Sequence, residues 1–222
     1  MRLFIIFLLA IATAYGCKKN EVVPNIDHSS KYQPLEVGHI WTYDVDSIVF
    51  YGNGSQKPDT FHYEVRHTVV SSFEDNANRT AFLIKRETKS DSLSDWMFKE
   101  NFSEAKTTTE LLRTTNDETI IPFSFPIVVN KEWDANQYNN KPKLETFYEE
   151  THIANTFGSL SYDSTSVVFQ EEEINAVNRR FVIETYAANY GMVKREVENI
   201  SGLESSDPKG TTYTFVLKSF EK

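Results

Sequence analysis

Alternation with a period of two dominates this chain. From Trp41 the positions Trp41, Tyr43, Val45 and Val49 are apolar, whereas Thr42, Asp44 and Asp46 are polar. This is the signature of a strand with one face in a core and the other in water. It predicts a first strand over about 40–51. Gly52-Asn53-Gly54 then marks a tight turn. The returning strand sets Phe61, Tyr63, Val65 and Val69 against His62, Glu64, Arg66 and Thr68. Asp75-Asn76-Ala77-Asn78 is the next turn and 80–88 the next strand. Segments 96–98 and 107–114 read as two more, the latter through its β-branched residues. Pro122 and Pro126 interrupt the apolar stretch 120–126, which predicts an edge or crossing segment and not a central strand.

After a polar loop at 136–143 the theme repeats, with strands expected at 146–153, 160–171, 179–186, 192–199 and 211–220. Residues 171–177 fit either a short helix or a charged hairpin tip. No long stretch shows the apolar spacing of a packed helix. The expected fold is therefore mostly β, a single antiparallel, strongly curved sheet or open half-barrel with little helix. One internal echo stands out: Pro34-Leu35-Glu36-Val37-Gly38-His39-Ile40-Trp41 against Pro126-Ile127-Val128-Val129-Asn130-Lys131-Glu132-Trp133. Gly and Asn are the residues that most easily take a left-handed backbone, so both segments could make the same turn ahead of a tryptophan. The echo marks either two related halves or a coincidence.

The N-terminus breaks the pattern. An apolar run over 3–12 follows Arg2 and is too short for a bilayer core, which takes about 20 apolar residues. It ends at Ala14-Tyr15-Gly16, and Cys17, the sole cysteine of the 222 residues, comes next. This arrangement reads as a signal peptide over 1–16 cut before a cysteine that carries the lipid anchor. The competing reading is an ordinary secretory signal with an incidental cysteine. Bacterial lipoprotein signals look like this, although Ala14 and Tyr15 depart from their usual Leu and small residue. Residues 17–31 are polar and aperiodic and read as a lipidated flexible tether, leaving 32–222 as one β domain. With Cys17 acylated, no disulfide can form within the chain, and the core must supply the stability.

The formal net charge of the full chain is −9, and removal of residues 1–16, which contain only Arg2 as a charged side chain, takes it to −10. So acidic a body excludes nucleic acid as an expected partner. Membrane attachment is then left to the acyl chains.

The stretch Tyr32-Gln33-Pro34-Leu35-Glu36-Val37-Gly38-His39-Ile40-Trp41-Thr42-Tyr43 and onward to Ile48 resembles the opening of an uncharacterised lipoprotein family of Bacteroidota-type bacteria. The resemblance continues through 59–65, the Trp133 segment and 186–196 with its Gly191-Met192-Val193-Lys194 core. It implies an outer-membrane, lipid-anchored address on the periplasmic or cell-surface face and brings no known activity. Lys19 and Glu21 partly match the surface-display tether of such bacteria, with Asn20 where a second acid is expected. Ser47, Ser92 and Ser164, each after an aspartate, resemble the O-glycosylation sites of their exported proteins.

Candidate chemistry is sparse. The histidines His28, His39, His62, His67 and His152 form no zinc motif, and His62 and His67 fall on opposite faces of one strand. No nucleophile elbow or phosphate loop occurs, and no cofactor or catalytic residue is assigned. Glu149-Glu150 and Glu171-Glu172-Glu173 are adjacent in sequence, so neighbours point to opposite faces. Glu171 and Glu173 share a face and could weakly attract calcium, although a solvated hairpin tip is the favoured reading. With 11 Tyr and 16 Phe, some aromatics must fill the core, and others could line a groove for an acyl chain or a sugar ring. The expectation is a non-catalytic binding or envelope-assembly module, with a lipid, glycan or envelope protein as partner. The alternative is a glycan- or lipid-processing hydrolase that uses paired carboxylates.

Overall fold

The computed structural model describes residues 31–52, 56–204 and 207–222. The signal peptide, Cys17, the tether up to residue 30 and residues 53–55 of the first expected turn lie outside the described residues.

Twelve antiparallel strands follow one another: β1 (Ile40–Tyr51), β2 (Asp59–Glu74), β3 (Thr80–Lys89), β4 (Met97–Lys106), β5 (Glu110–Thr115), β6 (Glu118–Ser124), β7 (Glu132–Asp134), β8 (Glu145–Phe157), β9 (Leu160–Ile174), β10 (Asn178–Ala187), β11 (Gly191–Ser201) and β12 (Lys209–Glu221). There is no helix among the described residues. The strands form one sheet in the order β6-β5-β4-β3-β2-β1-β12-β11-β10-β9-β8-β7, which is two six-stranded meanders joined where β1 pairs with β12. The sheet curls until it is nearly a barrel, with one unsealed seam. Its two terminal strands are β6, which carries Pro122 as an edge strand can, and β7. Across the gap between them the Ile121 amide donates to the Ala135 carbonyl at 2.9 Å, and Trp133 Nε1 donates to the Ile121 carbonyl at 2.8 Å.

The expected strands are present with shifted ends: β2 runs on to Glu74 and β8 to Phe157, β7 adds a short strand to those expected, and β4 and β5 depart for identifiable reasons. Segment 96–98 is the start of the ten-residue β4, whose alternation is concealed because its inward positions include Glu100 and Glu104, charges paired inside the barrel. Segment 107–114 starts later, at Glu110. The Thr107 hydroxyl accepts from the amides of Thr109 and Glu110 at 3.1 and 3.0 Å, a local turn that competes with strand pairing. Residues 171–177 form a hairpin tip and not a helix.

The echo is a structural repeat. Gly38 and Asn130 both have a left-handed backbone, φ 98° and 60°. His39 donates to the Glu36 carbonyl and Lys131 to the Val128 carbonyl, closing equivalent turns at 3.1 and 3.0 Å. Each turn then pairs with the adjoining strand in the same way: Gly38 to Val69 and Val69 to His39, Asn130 to Tyr148 and Tyr148 to Lys131.

The inner face is built from the predicted apolar positions. Trp41, Tyr43, Val45, Val65 and Val69 are buried, together with Ile84, Phe102, Leu111, Phe123, Tyr148, Val168, Tyr186, Val193 and Leu217. The segment before β1 closes one end of the barrel. Tyr32 stacks on Phe123 with ring centroids 5.4 Å apart and hydrogen-bonds Ser164 at 3.1 Å. Gln33 reaches across from Glu104 on β4 (2.6 Å) to the Met192 amide on β11 (3.2 Å), and the Lys106 ammonium donates to the Gln33 carbonyl at 3.2 Å. Gly191 makes room for this plug: a Cβ there would stand 2.4 Å from Gln33 Oε1.

Candidate binding site

Above the plug the inner face changes character. Three arginines and three glutamates project into the barrel from five strands. Arg113 of β5 donates from Nε to Glu104 at 2.8 Å, from Nη1 to Glu184 at 2.9 Å and from Nη2 to Tyr186 Oη at 3.2 Å. Glu104 and Glu184 are each only 1% exposed. Burial alone would push the Arg113 guanidinium down, but Glu184, Tyr186 and Glu104 around it hold it well above its ordinary value. Burial likewise pulls Glu184 upward, and the guanidiniums of Arg113 and Arg195 overcome this and keep it below the usual carboxylate range. Arg86 of β3 pairs with Glu100 of β4 and donates from Nε to His67 Nε2 at 2.9 Å. That bond requires His67 to be a neutral acceptor. Burial pushes the imidazole well below its ordinary value, and Arg86, Arg113 and Arg195 push the same way.

Breaking such a network from one side is expensive, because it strands a charge away from water. Each of the three Arg113 nitrogens donates within it. Arg195 differs: its Nε lies 3.4 Å from Glu184, is shielded from solvent and makes no hydrogen bond among the described residues.

Arg86, Arg195 and Glu100 form the floor of a cavity of about 610 Å³ at the end of the barrel opposite the plug, walled by Phe61, Tyr63, Val65, Tyr213 and Phe215, with Ser47 and Lys99 also in the lining. The volume falls within the range of small-molecule sites, roughly 300–1,000 Å³. The walls follow from register. Ser47 stands opposite Phe61 on β2 and Tyr213 on β12, so the period-two pattern of three neighbouring strands converges on one apolar rim. Phe61 is 48% exposed, although it sits on the inward face. Lys99 has no ion-pair partner among the described residues. The sequence pattern offered the aromatic walls; the arginine and glutamate floor it hid, because each charge interrupts an otherwise apolar row.

The residues singled out from sequence are not gathered here. Cys17 lies outside the described residues. Ser47 lines the cavity with its side chain turned inward, Ser164 bonds Tyr32 at the plugged end, and Ser92 is exposed in the β3–β4 turn. His62 is on the outer face, 2.9 Å from Asp46, and His67 is inside, as the parity of the strand requires. Glu149 and Glu150 are exposed, and Glu173 is held by Asn175, Asn178 and Arg180 at the hairpin tip. No group of three or more metal-ligating side chains occurs among the described residues. At the plug, Tyr32 Oη stands between Ser164 Oγ and His152 Nδ1, at 3.1 and 3.3 Å, which separates that serine from the imidazole.

Fold and cavity together define a near-closed antiparallel barrel, plugged at one end and open at the other. The sequence matches no protein-family profile and no curated protein. Among solved structures, the chain is similar to a protein from Bacteroides fragilis inferred to be exported and described as having a YmcC-like fold. The two share 12% identity over 86% of this chain and 99% of that one, with a TM-score of 0.52. A protein from Parabacteroides distasonis inferred to be a lipoprotein matches at 11% identity over 85% of this chain and 97% of that one, with a TM-score of 0.44. The first likeness shows a shared fold.

Proposed function

We propose that this chain is a lipid-anchored envelope protein whose barrel is a non-catalytic binding module, tethered to the outer membrane through Cys17. The observation that carries this reading is the placement of the cavity at the end opposite Lys31, where the tether enters. Asn189 donates to the Lys31 carbonyl at 2.6 Å, next to the Tyr32 plug. Between that level and the rim of the cavity β1 advances from Trp41 to Ser47, about 20 Å at roughly 3.3 Å per residue. Residue 31 therefore sits at the sealed end of the barrel, and the mouth of the cavity lies at the other.

The chemistry inside supports binding over catalysis. A glycosidase acid needs a carboxyl with a raised pKa; Glu184 is held down, and Glu104 and Glu184 are both committed to Arg113. An envelope setting fits the exported relative that shares the fold. The test is uptake of a neutral apolar fluorophore, Nile red, by the Cys17→Ser protein. Fluorescence enhancement that is lost in Phe61→Ser is expected. No enhancement, or turnover of ester or glycoside substrates that disappears with Glu104→Gln, would overturn the reading.

A further inference from the structure

The geometry points to an anionic amphiphile as the occupant of this cavity: a single carboxylate head on an aliphatic body, seated head-down. This rests on the proposed binding role and adds the ligand's chemistry to it. The floor holds cations whose bonding is incomplete. Arg86 is taken up by Glu100 and His67 and Arg113 by Glu104, Glu184 and Tyr186, whereas Arg195 Nε is buried without a hydrogen bond. The nearest carboxylate to it, Glu184, already accepts from Arg113 and from Tyr186 Oη, the latter at 2.6 Å. Buried polar groups are satisfied in the great majority of cases, so an orphaned guanidinium N–H on the wall of a cavity calls for an acceptor. Lys99, also in the lining, adds a cation that has no ion-pair partner among the described residues. A carboxylate between the two would complete Arg195 and be favoured by charge-assisted hydrogen bonds.

Above those cations the lining is Phe61, Tyr63, Val65, Tyr213 and Phe215, with Tyr213 and Phe215 edge to face at 5.7 Å. These walls give an aliphatic chain dispersion contacts and removal from water. A sugar acid would supply the same head, but most of its hydroxyls would face rings and a valine, with Ser47, Thr88 and Ser90 the only aliphatic hydroxyls in the lining. The acidic body of the protein disfavours a large polyanion, whereas a lone carboxylate needs only the local cations.

The test is calorimetric titration of the Cys17→Ser protein with decanoate, 1-decanol and glucuronate. Decanoate is expected to bind, with 1-decanol about tenfold weaker, the value of a charge-assisted hydrogen bond. Arg195→Gln should lose about tenfold in decanoate affinity and leave 1-decanol unchanged. Because Arg195 also touches Glu184, Lys99→Ala provides a second readout on an exposed residue with no ion-pair partner among the described residues, with an expected loss of about threefold. Equal affinity for decanoate and 1-decanol, or affinity unchanged in both variants, overturns this inference and leaves the binding role standing. Tighter binding of glucuronate overturns the aliphatic body. Binding of none of the three overturns the inference and the binding role together.

Discussion

Gly38 and Asn130 occupy equivalent left-handed turns, each eight-residue segment ending in a tryptophan and each docked by the same pair of amide bonds, Gly38 on Val69 and Asn130 on Tyr148. Each turn leads into the first strand of a six-stranded meander, β1 and β7. The join between meanders, β1 with β12, then corresponds to the gap between β7 and β6. The barrel is two six-stranded meanders that begin with the same turn, with one junction zipped and the other held by Trp133 and Ile121.

Backbone conformation at those turns predicts different responses to alanine at Gly38 and to glycine at Asn130. At Gly38 nothing lies within 4 Å of a built Cβ, so Gly38→Ala suffers only from the positive φ and should destabilise by about 1–2 kcal/mol. Asn130→Gly should change stability by less than about 0.5 kcal/mol. Urea denaturation measures both, and an unperturbed Gly38→Ala would mean that the turn is not held left-handed.

The ionic floor predicts a large one-sided penalty. Arg113→Met leaves Glu104 and Glu184, each 1% exposed, without their main partner and should cost about 3–5 kcal/mol. The triple variant Arg113→Met/Glu104→Gln/Glu184→Gln should lose less than the single change. Equal losses would show that volume, and not charge, sets the penalty.

His67 predicts the response to mild acid. Its folded pKa lies well below the ordinary 6.5, so the unfolded chain takes up the proton first. The stability this group contributes is present above pH 6.5 and falls as pH drops below it. Arg86 and Arg113 beside it stay charged throughout this window, and Glu184, whose pKa is lowered, loses its own contribution only in stronger acid. His67→Gln, which can still accept from Arg86, should flatten the profile over that range. A wild-type profile that is already flat would contradict a neutral buried imidazole.

Cys17→Ser should release the protein from membranes and abolish fatty-acid labelling, read by fractionation and metabolic labelling. Membrane retention without the cysteine would remove the anchor from the account.

What the sequence made legible was set by parity. Strands such as β1 and β2 carry apolar residues at alternate positions over their inner rows, and their bounds and facing are plain from Trp41 to Val69. β4 was foreshortened because Glu100 and Glu104 point inward, and nothing in a polar run distinguishes a charge paired across a barrel from one in water. Arg113, Glu184 and Arg195 were missed for the same reason: their partners lie on other strands, up to 73 residues away for Arg113 and Tyr186. The turn at Asn130 could be read because φ is a local property, and Gly and Asn advertise it.

The central claim is that ligands enter at the end remote from the tether, and amide and methyl NMR shifts on titration of the Cys17→Ser protein with decanoate test it most directly. Shifts should concentrate at Ser47, Phe61, Tyr63, Arg195, Tyr213 and Phe215 and leave Tyr32, Ser164 and Tyr190 unmoved. Shifts centred on the Tyr32 plug, or spread without a focus over the outer face, would contradict it.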